Sequence, residues 1–156
     1  MSESRRFNVI FEKVAVSAAQ DLFTLISPAS LYAIRLINLL ITQDSDEGDA
    51  QAEMLNILIH KGTTTGSGGS AATPVGLNHS KSYGGSARVN DTSQGTEGAK
   101  IWTSSFNIMT GLDKFWHEDE RFTAENGERL IVELQDAPND ELTMSGVLTF
   151  EEMRGI

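Results

Sequence analysis

The chain predicts an all-β fold: an antiparallel β-sandwich of Greek-key or jelly-roll layout carrying one long Gly/Ser/Thr-rich excursion. Three observations carry that expectation. Apolar residues recur with a period of two, as in 129–134, where Leu130, Val132 and Leu134 alternate with Arg129, Ile131 and Glu133. That is the spacing at which a strand turns one face to a core. About eight to ten such runs follow one another, separated by turn residues, and long connections between them favour a Greek key over an up-and-down barrel. The third is length: 156 residues make one domain with enough chain to bury a core without staples. The expected organisation is a flexible N-terminal arm, 1–6, and a single sandwich domain, 7–156, with the excursion at 62–98 inside it.

In chain order, Phe7, Val9 and Phe11 share one side of a first strand and Asn8, Ile10 and Glu12 the other. After a small polar break, 22–26 forms a short second strand that Pro28 ends, since proline removes a ladder donor. Residues 31–42 are the most apolar stretch. Periodicity alone does not separate helix from strand there, and the β-rich neighbours and closely spaced isoleucines decide for strand. Leu55, Ile57 and Ile59 mark another strand up to Gly62.

From 62 to 98 the composition changes to nine glycines with many Ser and Thr and only four charges. Such a segment has little with which to offset its ordering entropy, which predicts a surface excursion that a partner orders. Within it, 74–77 and 87–90 are read as short strands that pair with each other. Residues 99–108 resume a strand, Gly111 breaks it, and the aromatic 112–117 is read as a pocket lining or barrel plug. The closing runs, 128–134 and 141–152, are read as two strands paired across the turn at 135–140.

Composition narrows the function classes. There is no cysteine, hence no disulfide framework, thiolate zinc site or catalytic thiol. A net charge of −10 repels phosphate backbones and anionic membranes, and Arg5-Arg6 is the lone adjacent basic pair. No run is long enough to cross a bilayer and no signal-peptide pattern opens the chain, so the expectation is a soluble, unprocessed protein without nucleic-acid or membrane partners.

The acidic turn with Asp44, Asp46 and Asp49 begins like a calcium loop, but its twelfth position is Leu55 where an EF-hand needs a bidentate Glu. It is read as a solvated turn. The glycine run 62–70 lacks the Gly-Lys-Ser/Thr of a P-loop. His60, His79 and His117 show no metal-ligand spacing and are read as strand-edge or loop residues, so no metal, cofactor or catalytic residue is expected. Trp102, Trp116 and Tyr83 are candidate stacking platforms for sugars, with core burial as the competing reading.

Three stretches carry a resemblance. They are Val16-Ser17-Ala18-Ala19-Gln20-Asp21-Leu22-Phe23, the segment from Gly48-Asp49-Ala50 through Ile57-Leu58-Ile59-His60-Lys61-Gly62 to Gly68-Gly69, and Leu142-Thr143-Met144-Ser145-Gly146-Val147-Leu148-Thr149-Phe150-Glu151-Glu152. Together they resemble the small virion structural proteins of tailed bacteriophages and prophages encoded near the head genes. The resemblance implies a capsid decoration (cement) protein on the outer surface of the shell, non-enzymatic, bound to the major capsid protein and to itself as a homotrimer. Arg5 and Arg6 are then the expected capsid- or self-contact residues. The alternative is a tail-associated carbohydrate- or receptor-binding module using Trp102, Trp116 or Tyr83.

Overall fold

The computed structural model of the chain describes residues 4–29, 31–44 and 53–154. Its strands are β1 (Ser4–Val16), β2 (Gln20–Ile26), β3 (Tyr32–Gln43), β4 (Met54–Gly62), β5 (Ser70–Ala72), β6 (Val75–Gly76), β7 (Ser86–Asp91), β8 (Ala99–Asn107), β9 (Leu112–Phe115), β10 (Thr123–Glu125), β11 (Arg129–Leu134) and β12 (Leu142–Arg154). Among the described residues there is one 3₁₀ turn, Glu118–Glu120. All pairings are antiparallel.

The first sheet runs β10-β3-β12-β1-β6, with β9 also on β3; the second runs β5-β7-β2-β11-β4-β8. Stripped of the short strands of the excursion, this is the order of a jelly roll: β1-β12-β3 with β9 and β10, facing β2-β11-β4-β8. The expected all-β sandwich is therefore the fold, and period-two alternation produced it. Phe7, Val9 and Phe11 of β1, Leu36, Leu39 and Ile41 of β3, and Leu148 and Phe150 of β12 face inward against Phe23, Leu25, Ile57, Ile59 and Val132. Phe7 stacks on Phe150 at 5.5 Å, and Phe11 meets Phe23 across the sandwich at 5.1 Å. Burying each ring contributes about 2–3 kcal/mol.

Several expectations change. The closing runs do not pair with each other: β11 lies between β2 and β4, while β12 lies between β1 and β3 in the opposite sheet. Both are central strands and each needs two neighbours, so 135–140 crosses the sandwich instead of forming a hairpin. The arm contracts as well. Ser4, Arg5 and Arg6 belong to β1 and pair with Met153, Glu152 and Glu151, while 1–3 lie outside the described residues. In residues 112–117, β9 pairs with β3 as an added strand, and Trp116 enters the core.

The excursion departs most from its reading. β6 and β7 do not pair with each other; β6 joins β1 in the first sheet and β7 joins β2 and β5 in the second. The remainder is fastened down by Thr63 N–H to Thr96 O (3.2 Å), reciprocal Ser67 and Ser93 bonds (2.9 Å), and Arg129 Nε to Thr65 Oγ1 (2.8 Å). Its glycines serve close packing. A Cβ on Gly98 would stand 1.6 Å from the Lys61 carbonyl oxygen, and one on Gly95 would stand 2.1 Å from that of Thr64. Low side-chain volume here lets backbone lie on backbone.

Candidate functional site

The two sheets present different outer faces. Outer positions of the second sheet include Thr24 on β2, Ile131 and Glu133 on β11, and Leu58 and His60 on β4, and all five are buried. The glycine-rich excursion lies against three of them: Gln94 reaches Glu133, Gly98 reaches His60, and Gly62 packs on Ile131. Asp21 of β2, opposite Glu133 across a bulge, joins His60 and Glu133 in one buried cluster whose ligand-type atoms lie within 4.8 Å of one another.

Each member is held by the covering segment. Gly95 N–H donates to Asp21 Oδ2 (2.9 Å), Gln94 Nε2 to Glu133 Oε1 (3.0 Å), and Gly98 N–H to His60 Nδ1 (3.3 Å). Asp21 Oδ1 and His60 Nε2 remain buried without a hydrogen-bond partner. Burial pushes the Asp21 carboxyl up to about 6, with Gly95 opposing and Asp91 adding to the rise. Burial, then Asp21 and Glu97, push Glu133 up to about 7. Desolvation lowers His60.

The outer face of the first sheet carries no such cover among the described residues. Register aligns Phe115, Asn38, Thr149, Asn8 and Val75 in one cross-strand row, and Asp113, Leu40, Val147 and Ile10 in the next. Ile10 is 50%, Phe115 51% and Val75 64% exposed. At one end lies a charged row in which Glu151, itself buried, accepts from Ser4 Oγ (2.7 Å), Arg35 Nη2 (2.6 Å) and Arg121 Nη1 (3.3 Å). Burial alone would raise the Glu151 carboxyl; the Ser4 hydroxyl and the Arg35 and Arg121 guanidinium groups hold it below its usual range.

The residues singled out from sequence fall as follows. Arg5 pairs with Glu152 at 3.8 Å, and Arg6 is an exposed residue on the charged row. Trp116 is a core residue, 2% exposed, edge-on to Trp102 at 5.4 Å and near Phe122 at 5.2 Å, so its faces are covered and it offers no stacking platform. Trp102 is half-buried against it. Tyr83 donates its hydroxyl to Ile26 O (2.5 Å) and packs edge-on to Phe150. Trp102 and Trp116 thus pack on each other, and Tyr83 packs on Phe150. Asp44 accepts from Ser145 Oγ (2.5 Å), and Asp46 and Asp49 lie outside the described residues.

His60, read from sequence as an edge or loop residue, sits inside β4 with strands on both sides. Sequence reasoning also passed over Asp21 and Glu133. Their three positions come from three strands, so no linear spacing joins them. The available signal was indirect: charged or titratable residues set inside apolar runs, together with a glycine-rich segment long enough to lie over them.

No protein-family model matches the chain, and no curated protein matches it. Among solved structures, VP17, a capsid protein of bacteriophage P23-77, is similar over 100% of this chain and 98% of that one, at 8% identity and a TM-score of 0.25. At that TM-score neither fold nor function is taken from the likeness.

Proposed function

We propose that the chain is a non-enzymatic structural protein of a bacteriophage virion, a decoration or cement protein seated on the outer surface of the capsid and bound to the major capsid protein. The observation that carries this reading is the uncovered outer face of the first sheet, where Ile10, Val75 and Phe115 stand exposed, with Asp113 in the row of Ile10 and Arg121 over the Phe115 ring, on a chain of net charge −10. A sheet face carrying large exposed apolar groups marks an interaction surface, and a broad sheet face suits a broad shell. The sequence resemblance to phage head proteins supplies the partner class. The acidic balance argues against a nucleic-acid or anionic-membrane partner.

Self-association follows from an edge. β6 covers β1 only at Phe7 and Asn8, and the strand beyond runs on beside a groove of about 650 Å³ lined by Ile10, Val14, Ala72 and Val75. Such edges are covered in stable assemblies, and local three-fold positions on a shell bring three copies together as a homotrimer.

Shells lacking the chain, incubated with purified chain and imaged by electron cryomicroscopy, are expected to show added density at three-fold positions with the first sheet's outer face toward the shell. The double variant Ile10→Asp with Phe115→Ser is expected to bind at least roughly tenfold more weakly. Unchanged binding by that variant, or attachment through the covered face, overturns the reading.

A further inference from the structure

We infer that Asp21, His60 and Glu133 form a binding site for one first-row divalent cation of the zinc class, clasped between the second sheet and the glycine-rich segment above it. The site is independent of shell docking, which uses the opposite face of the molecule. Geometry comes first. Three adjacent strands, β2, β11 and β4, deliver two carboxylates and an imidazole whose ligand-type atoms lie within 4.8 Å of one another. Ligands about 2.0–2.2 Å from a common ion fall within that spread.

The second observation is independent of the cluster's composition. Asp21 is 1% and His60 0% exposed, yet Asp21 Oδ1 and His60 Nε2 each lack a hydrogen-bond partner. Buried polar atoms are ordinarily satisfied, and orphaned ones call for a ligand. When both are ionised, two buried carboxylates side by side also repel unless a positive charge lies between them. Arg88 is committed elsewhere, to Asp91 at 2.8 Å, and Lys100, whose charge reaches Glu133 and His60, is paired with Glu97 at 3.3 Å.

The donor set selects the ion. An imidazole nitrogen beside two carboxylate oxygens suits zinc, cobalt or manganese, whereas calcium and magnesium take oxygen ligands throughout. Coordination through Nε2 moves the imidazole proton to Nδ1, where it would face the Gly98 N–H that now donates there at 3.3 Å. Two donors cannot share that contact. Ion binding thus shifts the Gly98 amide while leaving Gly95 and Gln94 on the second-plane oxygens, which couples the ion to the position of the covering segment.

The test uses the full chain stripped with chelator. Zinc titrated calorimetrically at pH 7.5 is expected to bind at one ion per chain and to raise the thermal midpoint, while calcium at the same concentration leaves it unmoved. Cobalt is expected to give d–d absorbance. His60→Gln, Asp21→Asn and Glu133→Gln should each weaken zinc binding by more than roughly 100-fold. Independently of how the variants fold, histidine nitrogen NMR of the wild-type chain provides a second reading: zinc should shift the His60 ring and the Gly98 amide, and leave His79 and His117 in place. Absence of stoichiometric zinc binding, undiminished binding by the variants, or zinc shifts confined to His79 or His117 overturns the inference.

Discussion

The two outer faces of the sandwich are built from similar strands and meet different fates. On the first sheet, Ile10, Leu40, Val147 and Phe115 alternate with core residues and remain at the surface. On the second, Leu58, Ile131 and His60 alternate with core residues in the same way and are buried, Ile131 and His60 against the chain's own glycine-rich segment. Alternation therefore says which residues face away from a core, and not whether water or protein awaits them there. The covered face concentrates raised carboxyls, Asp21 and Glu133; the open face holds Glu151 ionised between two arginines. One face is closed on itself by backbone contact, and the other carries no such cover among the described residues.

The comparison breaks most readily at the cover. Gly98→Val places a side chain where even a Cβ would stand 1.6 Å from the Lys61 carbonyl oxygen, a backbone atom that cannot turn aside. A loss of about 3 kcal/mol or more in urea unfolding is expected, with faster amide exchange across 93–98. Stability within about 0.5 kcal/mol of wild type would mean that the segment lies on the sheet without holding it.

A smaller effect is expected at the charged end of the open face. The folded-state pKa of Glu151 lies below its ordinary value of 4.5, so its contribution is present above that value and is lost as pH falls through the folded pKa. Glu151→Gln should cost on the order of 2 kcal/mol at neutral pH, discounted for the partial exposure of Arg35. It should also flatten the decline in stability on acidification below pH 4.5. An acid limb equal to that of wild type would place the titration elsewhere.

The smallest stability effect belongs to the middle of the open face. Ile10→Asp with Phe115→Ser removes groups that are each half exposed, and unfolding free energy is expected to change by no more than about 0.5 kcal/mol per site. Shell binding and stability would then separate in one variant. A large stability loss would show that these side chains serve the fold, as Leu58 and Ile131 do on the other sheet.

Sequence by itself determined that the chain is β throughout, which strands carry the core, and where most of them begin and end. Phe7, Val9 and Phe11, or Leu130, Val132 and Leu134, state their burial through a period that the pleat imposes locally. The small strand β10 was missed although Asn126-Gly127 marks its turn with positive φ at both residues. Partnership was not legible. β11 and β12, neighbours in the chain, separate into opposite sheets because pairing is settled by which strands can cover both edges of each, a property of the whole set. The cluster of Asp21, His60 and Glu133 was hidden for the same reason: the three residues are far apart in sequence, Asp21 reads as part of a polar break, His60 as a strand-edge or loop residue, and Glu133 as an outward position in its strand. Only the tertiary structure decides that the glycine-rich segment lies over them, because glycine records permission for backbone to approach backbone without recording which backbone arrives.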